Sequence, residues 1–330
     1  MAGFAFVSGR AGSRAIHQEE IVMSGKQSIS IKKTLHQKDA FVQSVHYIST
    51  SKPTLLQTIT IGDRVTVGSY SKTAIWVSED NGKAWAEKGE WSSMVEQIDE
   101  RTIRKGAPCY YLDAEHGILI EFYGMFEEGP EGDYADFGPD QEGVPLQART
   151  GRLFYRFSRD EGETWGPVKQ LIQKGAEYDE VHWGDGMYYG RNSAYFMLTP
   201  IKLRDGAIIL PLCFNVLNEN GKLIKWPDRF STTNWPIEGV ASMRGTWRND
   251  LSDIDWEMSN HISIPQYMSR GLTEPEIAEL ENGNLMVIMR GNNSGWQGFP
   301  GVKFFSISRD GGKTWGPPAP LTYPDASLVH

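Results

Sequence analysis

One pattern recurs three times in this chain of 330 residues and limits its fold more than any other feature. It reads S-x-D-x-G-x-x-W, at residues 78–85, 158–165 and 308–315. A β-type run precedes each copy, at 73–77, 152–157 and 302–307. Such repetition implies a repeated supersecondary unit. The expected geometry is a hairpin turn. The Asp closes an Asx-type turn on backbone N–H groups two residues on, the Gly takes positive φ, and the Ser hydroxyl bonds across the turn. The Trp then opens the next strand as an apolar wedge. Asp80, Asp160 and Asp310 are therefore read as structural.

Around these boxes a rhythm of apolar run, Gly turn, second run and third run repeats near 41–90, 104–172, 190–262 and 270–325. In the first unit, 57–61 is expected to pair with 65–67 across Gly62-Asp63. The second unit places 108–112 against 118–122, followed by a loop over 127–149. The third places 195–203 against 207–212, with a third strand near 239–246 and a decayed box at 247–256. The fourth places 275–280 against 284–290. Repeated four-stranded units with one fixed turn signal mean radial repetition, so the fold class is all-β, a β-propeller over 39–330. Residues 1–38 form an N-terminal segment without the repeat. A β-sandwich is the rival, but it does not repeat one turn at one strand position.

Composition agrees. Aromatics make up 12%, with 11 Trp, and 35 Gly and 17 Pro supply many turns. The net charge of -9 offers no basic footprint for a nucleic-acid partner. Cys109 and Cys213 lie in apolar runs and read as buried free thiols. No apolar run reaches membrane-spanning length, so no membrane partner is expected. Without an uninterrupted apolar leader the cytoplasm is the default location. No cofactor or metal is expected; the acidic residues Asp133, Asp136 and Asp140 lack EF-hand spacing. Oligomeric state stays open.

The boxes resemble the Asp-box, or BNR, repeats of the sialidase (neuraminidase) superfamily. Residues 271–290, GLTEPEIAELENGNLMVIMR, resemble that family's fourth-blade segment, where a Glu opens the inner strand and an Arg closes the second. Glu274 and Arg290 fall on those positions. The resemblance implies a six-bladed propeller and an exo-glycoside hydrolase acting on sialic acid or another acidic sugar in a glycan. Three arginines would bind the sugar's carboxylate, a Glu would activate a Tyr nucleophile, and an Asp would be general acid and base. Arg290 would then be one carboxylate-binding arginine and Glu274 the partner of the Tyr. The family's R-I-P triplet has no counterpart in the first unit; Gly106-Ala107-Pro108 comes nearest, with Arg104 and Lys105 upstream. The family's third arginine and its tyrosine belong to fifth and sixth blades, so a truncated six-bladed propeller is the expectation.

Between the second and third units lies the segment 182–192, HWGDGMYYGRN. It offers His182 and Asp185 for proton transfer, Trp183 and Tyr189 for stacking on a sugar, and Arg191 for an anion; it also reads as an ordinary Gly-rich connector. The acidic loop is either a source of an acid/base Asp or a solvated excursion. Arg104, Arg270 and Arg244 are further candidates to face the axis, and as surface or salt-bridge residues they need no such role. The rival functions are a non-catalytic propeller that binds glycan or protein and a divergent polysaccharide lyase.

Overall fold

In a computed structural model the chain is described over residues 17–22, 28–33, 40–61, 72–91, 95–98, 101–106, 108–129, 148–196, 199–224, 236–263, 271–292 and 301–329. The described residues contain strands and turns and no α-helix. A hairpin comes first, β1 (His17–Val22) on β2 (Ser28–Lys33), within the segment read as lacking a repeat. Four antiparallel meanders follow in chain order. The first is β3 (Ala40–Tyr47), β4 (Leu55–Ile61), β5 (Lys72–Ser78) and β6 (Ala86–Glu90).

The second begins with β7 (Val95–Ile98) paired to β8 (Arg101–Lys105). It continues as β9 (Cys109–Asp113), β10 (Ile118–Gly129), β11 (Ala148–Ser158) and β12 (Lys169–Gln170). A small hairpin, β13 (His182–Gly184) and β14 (Met187–Tyr188), links it to the third. The third meander is β15 (Ala194–Tyr195) and β16 (Ile201–Lys202), then β17 (Ile208–Asn215), β18 (Glu238–Trp247) and β19 (Ile254–Met258). The fourth is β20 (Gly271–Glu279), β21 (Leu285–Asn292), β22 (Lys303–Ser308) and β23 (Ala319–Pro320).

Two expectations change here. Residues 57–61 are a second strand, not a first: β4 pairs with β3 and β5, and 65–67 lies outside the described residues. The apolar content of β3 was too mixed to mark it as a strand from its own letters. The excursion expected at 127–149 is shorter, because β10 extends to Gly129 and β11 starts at Ala148. Asp133, Asp136 and Asp140 lie outside the described residues.

Each box joins the third and fourth strands of its meander, and the three copies share one hydrogen-bond scheme. The Ser hydroxyl donates to the Asp, at 2.8 Å in every copy. It also accepts the Gly N–H, at 2.8, 2.8 and 2.9 Å. The Asp Oδ1 accepts the N–H four residues on, from Ala84, Thr164 and Thr314. The Asx turn spans four residues rather than two. The reason is that two consecutive residues adopt positive φ, such as Asn81 at 61° and Gly82 at 84°, and this curls the chain past the nearer N–H groups. Bonds from Thr164 draw the Asp160 carboxyl down to about 2, so it stays ionised as an acceptor.

Alternation along β17 explains how the meanders stack. All eight of its residues are buried. Ile208, Leu210, Leu212 and Phe214 join a core with Phe122, Leu153 and Tyr155 of the second meander. Ile209 faces the other way, in a core with Leu272, Ile277 and Leu285 of the fourth. A strand buried on both faces needs this two-sided apolar pattern. A smaller core of Ile48, Leu56, Tyr110 and Leu119 joins the first meander to the second. Successive sheets thus pack face to face, as propeller blades do.

Two outcomes test this packing. Ser308→Ala leaves the Gly312 N–H buried without its acceptor; it should destabilise the fold by about 1–3 kcal/mol in urea unfolding. His46, on β3, has a buried Nε2 without a partner among the described residues and lies edge-on to Tyr110. Burial lowers its pKa from 6.5 to about 4. The unfolded chain therefore takes up a proton that the fold refuses. This contribution is complete above pH 6.5 and is lost as pH falls toward 4. Between pH 7 and 4.5 the wild type should lose about 2–3 kcal/mol that His46→Leu does not lose, by urea unfolding at each pH.

Candidate functional site

In each meander the start of the first strand, the end of the second and the start of the third share one end. The boxes sit at the other. Glu274 and Arg290 lie at the box-free end of the fourth meander. Their local structure follows from Pro275, which has no N–H for the ladder and forces a bulge. Pairing runs Thr273↔Arg290 and resumes at Glu276↔Ile288, so Glu274 and Pro275 together stand opposite Met289. Glu274 takes φ 51°, a left-handed conformation that a side chain with a Cβ rarely adopts. The bulge turns its carboxylate onto Arg290: Nη1 donates to Oε1 at 2.9 Å. Both side chains stay open to solvent, Arg290 at 49% and Glu274 at 37%.

The third meander supplies the wall behind them. Alternation puts Cys213 of β17 and Glu238 of β18 on the face toward the fourth meander, with Ile209 and Val240. The Glu274 N–H donates to Cys213 Sγ at 3.0 Å. Burial first, then the charge of Glu238, pushes the Cys213 thiol far up, so it is a neutral acceptor. Tyr195 pairs with Cys213 across the ladder and donates its hydroxyl to Glu238 Oε1 at 2.7 Å. Glu238 is buried. Its backbone meets Gly271 in a parallel bridge that joins the two meanders.

The other residues singled out from sequence fall elsewhere. Trp183 is a correction: it is fully buried between the second and third meanders and offers no face to a sugar. Met187 of β14 is buried with it in the same core, which draws the ring inward. His182 stacks on Tyr188 at 4.5 Å and has Tyr178 tilted against it at 4.9 Å. Its Nδ1 contacts the Glu177 carbonyl at 3.0 Å. Asp185 is exposed at the hairpin turn, where its carbonyl contacts His261 Nε2 at 2.8 Å. Among the described residues, no contact joins either His182 or Asp185 to Glu274 or Arg290. Arg191 is exposed, with its guanidinium 5.1 Å from the Tyr188 ring.

Tyr189 bonds the Glu127 carboxylate and lies under the Arg152 guanidinium at 4.2 Å. Arg152 also bonds Glu127 at 3.2 Å. This cluster stands at the same end of the second meander as Glu274 does of the fourth. Arg104 belongs to β8 opposite Phe126; its side chain and all of Arg270 lie outside the described residues. Arg244 points to the box end, bound to Asp205 at 2.6 Å and to the Gly311 carbonyl at 2.9 Å, so it does not face the axis with Glu274.

A family model described as a BNR repeat-like domain matches residues 68–328. The chain belongs to that family. No curated protein is detectably similar in sequence. Among solved structures, a protein of unknown function from Dyadobacter fermentans aligns with this BNR repeat-like chain at a TM-score of 0.52 and 14% identity, over 88% of this chain and 75% of that one. A Hadza microbial sialidase gives 0.49 at 18% identity, over 82% of this chain and 44% of that one. The intramolecular trans-sialidase from Ruminococcus gnavus gives 0.48 at 14%, over 86% and 71%. This BNR repeat-like chain therefore spans less than half the length of the Hadza sialidase. At such identities the likeness speaks to fold alone.

The joint at Gly271 has no room for change. A Cβ there would lie 2.1 Å from the Glu238 carbonyl oxygen, at a φ of 88° that disfavours side chains. Gly271→Ala should destabilise the BNR repeat-like fold by about 3 kcal/mol or more in urea unfolding. Gly283→Ala, with open space around it and a similar φ of 82°, should lose about 1 kcal/mol.

Proposed function

We propose that this chain binds an acidic sugar of a glycan at the Glu274–Arg290 end and acts there as a sialidase-like exo-glycoside hydrolase. The observation that carries the reading is the pairing of a half-exposed arginine with a glutamate on a left-handed bulge. Strained residues cluster at binding sites, and here one stands beside an open cation. Only Nη1 of Arg290 is engaged by Glu274 in the described contacts, which leaves the rest of the guanidinium fork to take a sugar carboxylate. Glu274 keeps Oε2 for a sugar hydroxyl or a proton. Membership of the BNR repeat-like family and the resemblance of residues 271–290 to a sialidase blade support the same reading.

One observation favours a second reading, glycan binding without turnover. Among the described residues, Glu274 is the one carboxylate that contacts Arg290, and binding without turnover asks for no acid or base beside it. Fluorogenic sialosides and uronosides distinguish the two when turnover is measured beside binding of the free sugar acids by calorimetry. Arg290→Ala should weaken binding about 10- to 100-fold, in line with loss of a charge-assisted pair. Glu274→Gln should lower turnover while leaving binding within about threefold. Equal binding by wild type and Arg290→Ala would sink the site. Binding without turnover in wild type would select the second reading.

A further inference from the structure

Glu274 is held in its bulge by an atom from another meander. A strand residue left alone would relax to extended backbone, because the left-handed region is disfavoured for any residue with a Cβ. The Arg290 contact does not prevent this, since both side chains are half-exposed and long enough to follow one another. The backbone contact is different. The Glu274 N–H points at Cys213 Sγ, 61 residues away in the chain and buried, and no rotation of a side chain can replace that direction.

We propose that Cys213 is a positioning residue, whose buried sulfur accepts the Glu274 N–H and fixes the left-handed bulge that presents the Glu274 carboxylate to Arg290 and to the sugar. The idea rests on the reading of Glu274 and Arg290 as the site. Three features of β17 support it. Strand alternation puts Cys213 on the face toward the fourth meander. The thiol is uncharged, so it offers a lone pair without adding a negative charge beside Glu238 and Glu274. The ladder then carries the constraint onward: Tyr195 stands directly across from Cys213, and its hydroxyl is tied to the buried Glu238. The backbone of Glu238 in turn abuts Gly271, three residues before Glu274. The bulge is thus clamped at Gly271 by backbone contact and at Glu274 by sulfur.

A thiol is a weak acceptor, yet it is what the site can hold. An apolar side chain at this position would leave the part-buried Glu274 N–H without this acceptor.

The test compares Cys213→Ala, which removes the acceptor, with Cys213→Ser, which keeps one, in the full chain. Hydrogen–deuterium exchange is read at the Glu274 amide, and turnover or sugar binding is read beside it. The Ala variant should exchange that amide at least about tenfold faster than wild type, with amides of β21 and β22 unchanged. The Ser variant should stay within about threefold of wild type in both exchange and kcat/KM, while the Ala variant loses about tenfold in kcat/KM, chiefly through kcat. A Glu274 amide that exchanges equally in wild type and Cys213→Ala overturns the proposal, as does equal activity of the Ala and Ser variants. Glu274→Gly should melt a few degrees above Glu274→Ala, since both lack the carboxylate and only glycine relieves the left-handed strain. Equal melting would mean that no strain is stored and would also overturn it. Exchange and melting need no ligand. If wild type neither binds nor turns over any sugar tested, the functional reading fails while these two measurements still judge the clamp.

Discussion

Everything in this molecule depends on sheets that are apolar on both faces. A four-stranded meander with alternating side chains cannot bury both faces by itself. It needs a sheet on each side, and the chain provides the next one in sequence. β17 shows the constraint most fully: its even-numbered residues pack against Phe122 and Tyr155, and Ile209 packs against Leu272 and Leu285. Large rings lock the first of these contacts. Trp256 lies 6.0 Å from Phe122 and 5.8 Å from Tyr155, both near edge-to-face, an arrangement that aromatic pairs prefer.

Apolar faces attract but do not set a register, because dispersion contacts tolerate sliding. Directional bonds at the joints do that. Glu121 of β10 is buried and accepts from both Arg156 and Tyr110 in its own meander and from Trp91, which follows the first, at 3.1 Å. Asp113 at the end of β9 is fully buried and reaches the third meander through Lys202 at 2.9 Å and Trp247 at 2.6 Å. Burial raises the Asp113 pKa, but bonds from Lys202, His116 and Trp247 outweigh it and hold the carboxyl below its usual range. Removing one partner of such a group is far more damaging than removing both. Between the third and fourth meanders the same work is divided: Trp315 of the last box donates to Ser242 at 3.0 Å at one end, and Glu238 meets Gly271 at the other.

The boxes made the architecture legible because all their contacts are local. Ser308, Asp310, Gly312 and Thr314 bond within seven residues, so their spacing alone carries the turn. The four-residue reach of the Asp was not legible, because it depends on a second left-handed residue before the Gly, and that position holds Asn81, Glu161 and Gly311 in the three copies. Glu274 and Arg290 were legible as a pair through resemblance, and the structure brings them to 2.9 Å. The bulge between them was not predicted, although a Pro in a strand interior was a signal that could have shown it. Trp183 misled because a connector was assumed to be surface, whereas its ring fills the core between two sheets. Cys213, Tyr195 and Glu238 were invisible as a group. Their contacts join residues 18 to 61 positions apart, and each letter alone reads as ordinary strand content.

The two ends of the sheets are held in different ways. At the box end, glycine and asparagine occupy the left-handed positions of the first turn, and each polar group of the repeat meets its partner. Left-handed glutamates occur at both ends, Glu161 in the second box and Glu274 in the bulge, but only at the opposite end does a proline interrupt the strand beside one and an N–H go to sulfur. An ordinary residue could sit extended where Glu274 and Pro275 form the bulge. The bulge persists because the rigid joint around Gly271 over-determines it. The repeated end is closed by bonds within each box, and the irregular end by contacts between meanders.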